Sequence, residues 1–353
     1  MRANPRRAAT HRAALASLAA VCTATLLAAC SGGGGGTKAS GDGVKGQRFK
    51  LIVASTATAN KVVEAHMIEI LKKDGVNASI QFSDASSNVQ VAELRRGDFD
   101  AYAEAVAGGI AAVAQGIPLV DFDLLQPRQD YVFIARPGIK SLSDLAGKKI
   151  GVIDTVGVNW AQALIVLKQA GLSVGQVHMV TAGGQSERLA AMVAGRIDAT
   201  MLSHSAQVQL QPKGYTVLYD YTRQSPNLYD DNMFAMKSWL TGHKKLAVEV
   251  NKATLEAFEW FNDPKNKNDV LSETLALVQG SDKAQTGQLL DTLRSGGAFP
   301  DGTILDTSLI NQAQTLFLQA KAIDKAVPTA QWVDTSFGQQ AKAQLAQSGS
   351  GSN

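Results

Sequence analysis

One arrangement of strands and helices occurs twice in this chain, and it constrains the fold more than any other feature. Short apolar runs alternate with segments of helical period from Phe49 onward, which is typical of an α/β protein. One strand-helix-strand-helix series ends in the sequence GDFDA at 97–101, and a second ends in GRIDA at 195–199, 98 positions later. Such a turn is also common between unrelated helices and strands, but here the preceding elements match too. We therefore predict an α/β fold of two similar β-α-β lobes.

Two lobes in one chain need connections, and two segments have suitable sequences. The strand within 130–138 ends in a Pro-Gly turn, and a polar segment reaches Asn232. We predict hinge crossovers near 135–138 and 226–232. Residues 239–341 are mainly helical and contain no third copy of the unit. We expect these extra C-terminal helices to cover lobe one.

The positive charge of the chain belongs to its N-terminus. The formal net charge is +3, from 34 basic and 31 acidic residues, and four arginines lie among the first twelve residues. An uncharged stretch from Ala13 to Ala29 follows, as in a secretory signal peptide. Without residues 1–29 the chain has 30 basic and 31 acidic residues, a balance that does not favour nucleic acid as a partner.

Cys30 follows Leu27, Ala28 and Ala29, and this end of the apolar stretch resembles the lipobox of bacterial lipoproteins, whose cysteine is acylated. The alternatives are a chance cysteine near an ordinary cleavage site and the start of a membrane span, although an apolar stretch of 17 residues is short for a span. We expect a lipid anchor on Cys30 that holds the protein in the cell envelope, at the outer face of the cytoplasmic membrane.

These features divide the chain into five predicted segments. Five consecutive glycines after Cys30 form a flexible tether that is too poor in apolar residues to fold. The predicted segments are the signal peptide at 1–29, the tether at 30–47, lobe one at 48–135 and 232–345, lobe two at 136–231, and a disordered tail at 346–353.

Several motifs resemble a known class of proteins. Residues 139–152, IKSLSDLAGKKIGV, are similar to the segment that opens the second lobe of type II periplasmic-binding-protein folds, and the turns at 94–101 and 197–199 match turns of that class. Within it, residues 49–340 are most similar to the binding proteins for sulfonate, nitrate and taurine, whose relatives bind thiamine precursors. The resemblance implies a protein that captures a small solute between two lobes for an ABC permease, without cofactor or reaction.

The candidate ligand contacts lie at helix starts. In an open α/β lobe, ligands bind beyond the carboxyl ends of the strands, where helix N-termini offer unpaired N–H groups. Four segments lie at such places: 55–58, 86–88, 155–160 and 183–186. Their polar side chains could bond a solute or serve only as helix caps. The candidates from these segments are Ser55, Thr56, Ser86, Ser87, Asn88, Thr155 and Asn159.

Five further candidates each have a structural alternative. Trp160 could form a flat wall for the ligand, or pack in the core with the apolar residues of its helix. Tyr102 and Glu104 follow the third strand, where the family places a ligand-facing loop, but Glu104 could equally be a solvated helix start. His204 could donate to a ligand or be structural. Asn232 could reach the cleft from the return crossover.

The function classes differ in the motifs that they require. No Gly-x-Ser-x-Gly elbow stands between a strand and a helix, and the sequence has no metal-ligand cluster or phosphate-binding glycine loop, which disfavours an enzyme and a metal site. Sulfonate-binding relatives start their lobe-two helix with a Ser pair that is missing from 155–160. We predict a monomeric solute-binding lipoprotein for a small organic anion or zwitterion. A ligand-sensing or partner-binding surface lipoprotein with the same fold is the alternative.

Overall fold

The computed structural model describes residues 43–55, 57–83, 87–153, 157–225, 228–321 and 323–350. Residues 41–353 form one compact unit. The predicted signal peptide and Cys30 lie outside the described residues, as does the tether up to residue 42. Within the described ranges, no helix is both long and apolar enough to cross a membrane.

The unit contains ten strands and thirteen α-helices in the described part of the chain. The strands are β1 Arg48–Val53, β2 Asn77–Phe82, β3 Ala101–Ala105, β4 Leu119–Leu124, β5 Tyr131–Ala135, β6 Lys149–Val152, β7 His178–Thr181, β8 Ala199–Ser203, β9 Thr216–Asp220 and β10 Asp231–Met236. The helices are α1 Val62–Lys73, α2 Ser87–Arg96, α3 Val106–Ala114, α4 Gly157–Gln169, α5 Gln185–Val193, α6 His204–Leu210, α7 Tyr221–Gln224, α8 Lys237–Gly242, α9 Lys244–Asn262, α10 Lys267–Leu277, α11 Lys283–Gly296, α12 Thr307–Gln319 and α13 Ser336–Ser350.

Both predicted copies of the repeated unit are present, and each forms a five-stranded sheet. The first sheet has the order β2-β1-β3-β10-β4, and the second has the order β7-β6-β8-β5-β9. In each, three parallel strands are followed by an antiparallel strand from the other half of the chain, β10 in the first sheet and β5 in the second. The predicted α/β class is confirmed, and the two sheets share one strand order.

The recurring turn has the same physical role in both sheets. The Asp100 carboxylate accepts a hydrogen bond from the backbone N–H of Lys50 at 2.8 Å, which ties the start of β3 to β1. The Asp198 carboxylate accepts one from the backbone N–H of Lys149 at 2.9 Å, which ties β8 to β6. The motif therefore fixes how the third strand of each unit lies against the first.

The first crossover lies earlier than the sequence predicts. The strand Tyr131–Ala135 pairs with β8 and β9 and so belongs to the second sheet. The chain therefore leaves the first sheet within 125–130, and the predicted crossover at 135–138 is wrong. The Pro-Gly turn lies inside lobe two because the apolar strand before it fills the antiparallel position of that sheet. The return connection runs from the end of β9 to β10, as predicted, with residues 226 and 227 outside the described ranges.

The sequence did not predict strand β4, and it predicted too early an end for the C-terminal helix. Strand β4, LVDFDL, is buried along its whole length although two aspartates interrupt its apolar run. At the C-terminus, α13 continues to Ser350, so the tail predicted to be disordered from 346 is helical over its first five residues. Alanine and glutamine up to position 347 favour this continuation.

The C-terminal helices contact more than the lobe they were expected to cover. Helix α9 packs on α1 and β4, and α13 packs on α9 and β4, as predicted. Helix α11, however, also contacts α6, and α12 contacts α4, and both partners follow strands of the second sheet. Accordingly, Val208 of α6 and Ala161 of α4 belong to apolar clusters built mainly from the first lobe. Two of the C-terminal helices therefore bridge the lobes.

Candidate functional site

A cavity of about 480 Å³ is bounded by residues of both sheets. Ser55 follows β1, Glu104 lies near the end of β3, and Ser203 ends β8, so the cavity lies beyond the carboxyl ends of parallel strands. Gln185 adds the first residue of α5. Ligands of open α/β sheets bind beyond the carboxyl ends of the strands, so the cavity lies where this rule predicts a binding site.

Both connections between the sheets contribute to the cavity wall. Asp130 and Tyr131 come from the first crossover and the strand that follows it, and Asp230 and Asp231 come from the second crossover and the start of β10. The Gln126 side chain amide donates to the Asp230 carboxylate at 2.6 Å and so joins the two crossovers directly. Any rotation of one lobe against the other would therefore move residues that line the cavity.

Helix α11 forms a further wall that the sequence analysis did not anticipate. Asp282, Gln285, Thr286 and Leu289 line the cavity, and Asp282 caps the helix by accepting a hydrogen bond from the backbone N–H of Gln285 at 2.8 Å. The helix lies far along the chain from the repeated units. No pattern in those units points to it.

Lys61 supplies a buried positive charge at the cavity. Its ammonium donates to the Asp231 carboxylate, to Glu64 at 3.0 Å and to the side chain oxygen of Gln126 at 3.1 Å. Burial alone would lower the pKa of Lys61, but the charges of Asp231 and Glu64 raise it, so the ammonium stays protonated. In the part of the chain that the structure describes, it is the one Lys or Arg side chain on this wall.

His204 is held between two carboxylates. Its Nδ1 lies 2.6 Å from Asp130 and its Nε2 lies 3.5 Å from Asp220, and the side chain is 3% exposed. Burial alone would lower the pKa of His204, but the hydrogen bonds and charges of the two aspartates raise it to about 9. The imidazolium therefore joins the first crossover to the end of β9, and both of its nitrogens are occupied.

Two of the predicted residues meet along β3. Tyr102 and Glu104 lie on the same face of the strand, and the Tyr102 hydroxyl donates to the Glu104 carboxylate. Glu104 also accepts a hydrogen bond from the backbone N–H of Ala105 at 3.0 Å and lines the cavity, whereas the Tyr102 ring is buried behind it. The tyrosine thus orients a carboxylate that faces the cavity.

Ser55 is the other predicted residue that the structure places in the cavity wall. Its hydroxyl oxygen is shielded from solvent and has no hydrogen-bond partner among the described residues. A buried hydroxyl without a partner costs on the order of 1–3 kcal/mol. A polar group in the cavity would supply the missing bond.

Besides Tyr102, four predicted residues do not line the cavity. Asn159 accepts from the backbone N–H of Ile153 at 3.0 Å and so ties β6 to α4. Trp160 is partly buried against apolar clusters of both lobes. Asn232 lies buried within β10 and donates to Asp121 at 2.5 Å. His204 touches the cavity only through Asp130.

The remaining candidates fall outside what the structure describes. Ser87 and Asn88 begin α2, but their side chains are not among the described groups. The candidates outside the described residues are Thr56, Ser86 and Thr155.

One feature of the sequence could have indicated some of the cavity residues that were not predicted. Lys61 directly precedes α1, where the positive end of the helix dipole disfavours a cation, so a lysine there requires nearby carboxylates. The pair Asp230 and Asp231, in a segment predicted to be a crossover, could have supplied them. The cavity-facing side of α11 gives no comparable signal.

Comparison with protein families decides the membership of the chain. Residues 71–267 match the family described as NMT1/THI5 like, which is more than half of the sequence. The chain belongs to the NMT1/THI5-like family. Comparison with curated proteins finds no match.

Solved structures agree on the fold. The periplasmic aliphatic sulphonate binding protein SsuA from Escherichia coli superposes with a TM-score of 0.66 at 17% identity, over 83% of this chain and 99% of that one. The periplasmic nitrate-binding protein NrtA from Synechocystis PCC 6803 gives 0.65 at 12% identity, over 85% and 89%. This NMT1/THI5-like chain therefore has the predicted periplasmic-binding-protein fold.

The same fold also occurs in an enzyme. The desulfurization enzyme DszB superposes with a TM-score of 0.62 at 17% identity, over 84% of this chain and 100% of that one. Since fold alone does not decide between binding and catalysis, the choice depends on the side chains at the cavity.

Proposed function

We propose that this protein is a solute-binding lipoprotein, which captures a small solute in the cavity between its two sheets and delivers it to an ABC permease. The observation that carries the proposal is the composition of the cavity wall, to which both sheets and both crossovers contribute. A solute held there would contact both lobes at once. Such a solute favours the closed arrangement because it has more contacts in that arrangement than in an open one.

The side chains at the cavity favour binding over catalysis. His204 contacts the wall through Asp130, and Asp130 and Asp220 occupy both of its ring nitrogens. A histidine that is already protonated and engaged on both sides is not available as a general base. Lys61 is likewise held protonated by carboxylates, so it is a poor nucleophile. Turnover of ester, amide or sulfinate substrates by the purified protein would refute this part of the proposal.

We place the hinge at the two crossovers, within 125–130 and 221–230. Lobe one then comprises the first sheet and lobe two the second, with 131–220 as the body of lobe two. Small-angle scattering of the purified protein, with and without a saturating solute, tests the movement. Closure predicts a smaller radius of gyration, and an unchanged radius contradicts it.

For the solute we propose a small organic anion or zwitterion. A thermal-shift screen over sulfonates, carboxylates, amino acids, pyrimidines and inorganic oxyanions identifies the class. A solute at about a hundred times its Kd should stabilise the protein by about 2.7 kcal/mol. If no solute in any class raises the melting temperature, the proposed binding function is wrong.

We also propose that Cys30 carries the lipid that keeps the protein at the outer face of the cytoplasmic membrane, close to its permease. Acylation of the signal-peptide junction fits a receptor that must not diffuse away. Metabolic labelling with palmitate tests this, with Cys30→Ser as the unlabelled control. Loss of solute uptake on deletion of the gene, with recovery on re-expression, tests delivery.

A further inference from the structure

The wall of the cavity is strongly acidic. Five carboxylates face the cavity, while Lys61 is the single Lys or Arg side chain on its described wall. The carboxylates are those of Glu104, Asp130, Asp230, Asp231 and Asp282. They come from strand β3, the two crossovers, the first residue of β10 and the residue that caps α11.

The positive charges near the cavity are already used by protein groups. The Lys61 ammonium is held by Asp231, Glu64 and Gln126, and the His204 imidazolium is held by Asp130 and Asp220. Removing either cation from these carboxylates to serve an anionic solute would leave buried charges uncompensated, which is strongly unfavourable. On the described wall, neither cation is available to neutralise an anion.

The five carboxylates differ in their hydrogen bonds and in whether they can be protonated. Burial and the charge of Asp231 raise the pKa of Asp230 well above its usual range, so this group can be protonated and neutral. Glu104 accepts hydrogen bonds from a hydroxyl and a backbone N–H, and Asp282 accepts one from a backbone N–H. The donors of these hydrogen bonds carry no charge.

We propose that the cavity selects solutes that carry a protonated amine, with Glu104 and Asp282 as the residues that determine this specificity. The inference rests on the proposed function and narrows it, since it favours a zwitterion over a simple organic anion. An ammonium group placed at the wall gains charge-assisted hydrogen bonds from these carboxylates. A solute with only a carboxylate or sulfonate meets like charge there. The unpartnered Ser55 hydroxyl offers a further bond to a polar group of the same solute.

Matched solutes that differ only in the amine test the inference. Binding of the purified protein is measured by titration calorimetry with propanoate, β-alanine and propylammonium, then with hexanoate, 6-aminohexanoate and hexylammonium, and with ethanesulfonate and taurine. We expect each amine-bearing solute to bind at least tenfold more tightly than its matched anion. Equal or tighter binding of the anions overturns the inference and leaves the proposed function intact. If no solute in this set or in the broader thermal-shift screen binds, both are overturned.

Two conservative variants test the two residues. Glu104→Gln keeps an oxygen for the Tyr102 hydroxyl, and Asp282→Asn keeps a residue type that caps helices equally well. Hydrogen bonds to charged groups contribute about 1.5–3 kcal/mol, so we expect the Kd of an amine-bearing solute to rise about ten- to hundredfold. The Kd of a matched anion should stay the same or fall. A purely structural role would weaken both kinds of solute together.

Controls for these variants exist elsewhere in the chain. Asp306→Asn changes the cap of α12, whose carboxylate accepts from the backbone N–H of Ser308 at 2.7 Å and does not line the cavity. Glu69→Gln removes an exposed carboxylate from α1. Both should leave every Kd unchanged. If Glu104→Gln and Asp282→Asn behave like these controls while retaining the parent melting temperature, the assignment of specificity to these residues is wrong.

Discussion

The stability of the protein should depend on pH through His204. Its pKa is raised from 6.5 to about 9 in the folded protein, because its ion pairs with Asp130 and Asp220 outweigh the effect of burial. A group whose folded pKa is raised contributes stability that is complete below its unfolded pKa and is lost as the pH rises through the folded pKa. A difference of 2.5 units at 1.36 kcal/mol per unit corresponds to about 3 kcal/mol. This contribution should be present at pH 6 and lost above pH 9.

The test compares the protein with the variant His204→Gln by urea unfolding between pH 6 and 10, followed by fluorescence and circular dichroism together. The free energy of unfolding of the parent should fall by about 1.4 kcal/mol per pH unit relative to that of the variant between pH 6.5 and 9. Titrating groups that do not contact His204 cancel in this difference, whereas Asp130 and Asp220 do not. His178→Gln, at an exposed histidine in β7, serves as the control and should run parallel to the parent.

Parallel pH profiles for the parent and His204→Gln would refute the reasoning, and so would a difference that grows with pH. The NMR resonances of the imidazole rings report the titration of His204 directly. The titration of His204 should have its midpoint near pH 9, well above that of an exposed histidine.

Two other substitutions test the packing and the charges of the first lobe. In Gly109→Ala the added Cβ would lie 2.0 Å from the Phe234 ring. We therefore expect urea titration to show a loss of about 1–3 kcal/mol in the free energy of unfolding. The control Gly287→Ala meets no atom within 4 Å and should be neutral or stabilising. Lys61→Met leaves buried carboxylates without their cation and should lower the free energy of unfolding by about 3–5 kcal/mol in the same assay. The control Lys72→Met, at an exposed lysine, should change it by less than about 0.5 kcal/mol. A loss at Gly287 that matches the loss at Gly109, or a neutral Lys61→Met, would contradict these expectations.

The repeated architecture could be predicted because its signals are local. Alternating apolar runs, helical periods and the turn at Asp100 and Asp198 report on residues that are neighbours along the chain. Strand β5 was assigned to the wrong lobe because the apolar pattern of a strand does not indicate which sheet the strand joins. The choice is made by pairing with β8 and β9, which lie more than sixty residues away.

The cavity was harder to predict for a related reason. Ser55 and Glu104 were found because they lie near the ends of strands, and a rule connects strand ends with binding sites. Asp282 and its neighbours on α11 reach the same cavity through tertiary packing, which leaves no periodic trace in the sequence. Asn159 and Asn232 show the opposite error, because a polar residue at a helix start or strand end often satisfies a backbone or side chain group nearby.

The contact between α12 and α4 has a consequence for how affinity can change. Under the proposed closing movement, separating the lobes at this contact would expose Ala161, which is fully buried in an apolar cluster with Ile310 and Phe317. The measured affinity for a solute is its intrinsic affinity scaled by the fraction of molecules in the competent arrangement. Substitutions at this contact could therefore strengthen or weaken capture without touching the solute. Under the proposed function, selection at this contact could adjust how tightly the protein holds its solute while leaving untouched which solute it recognises.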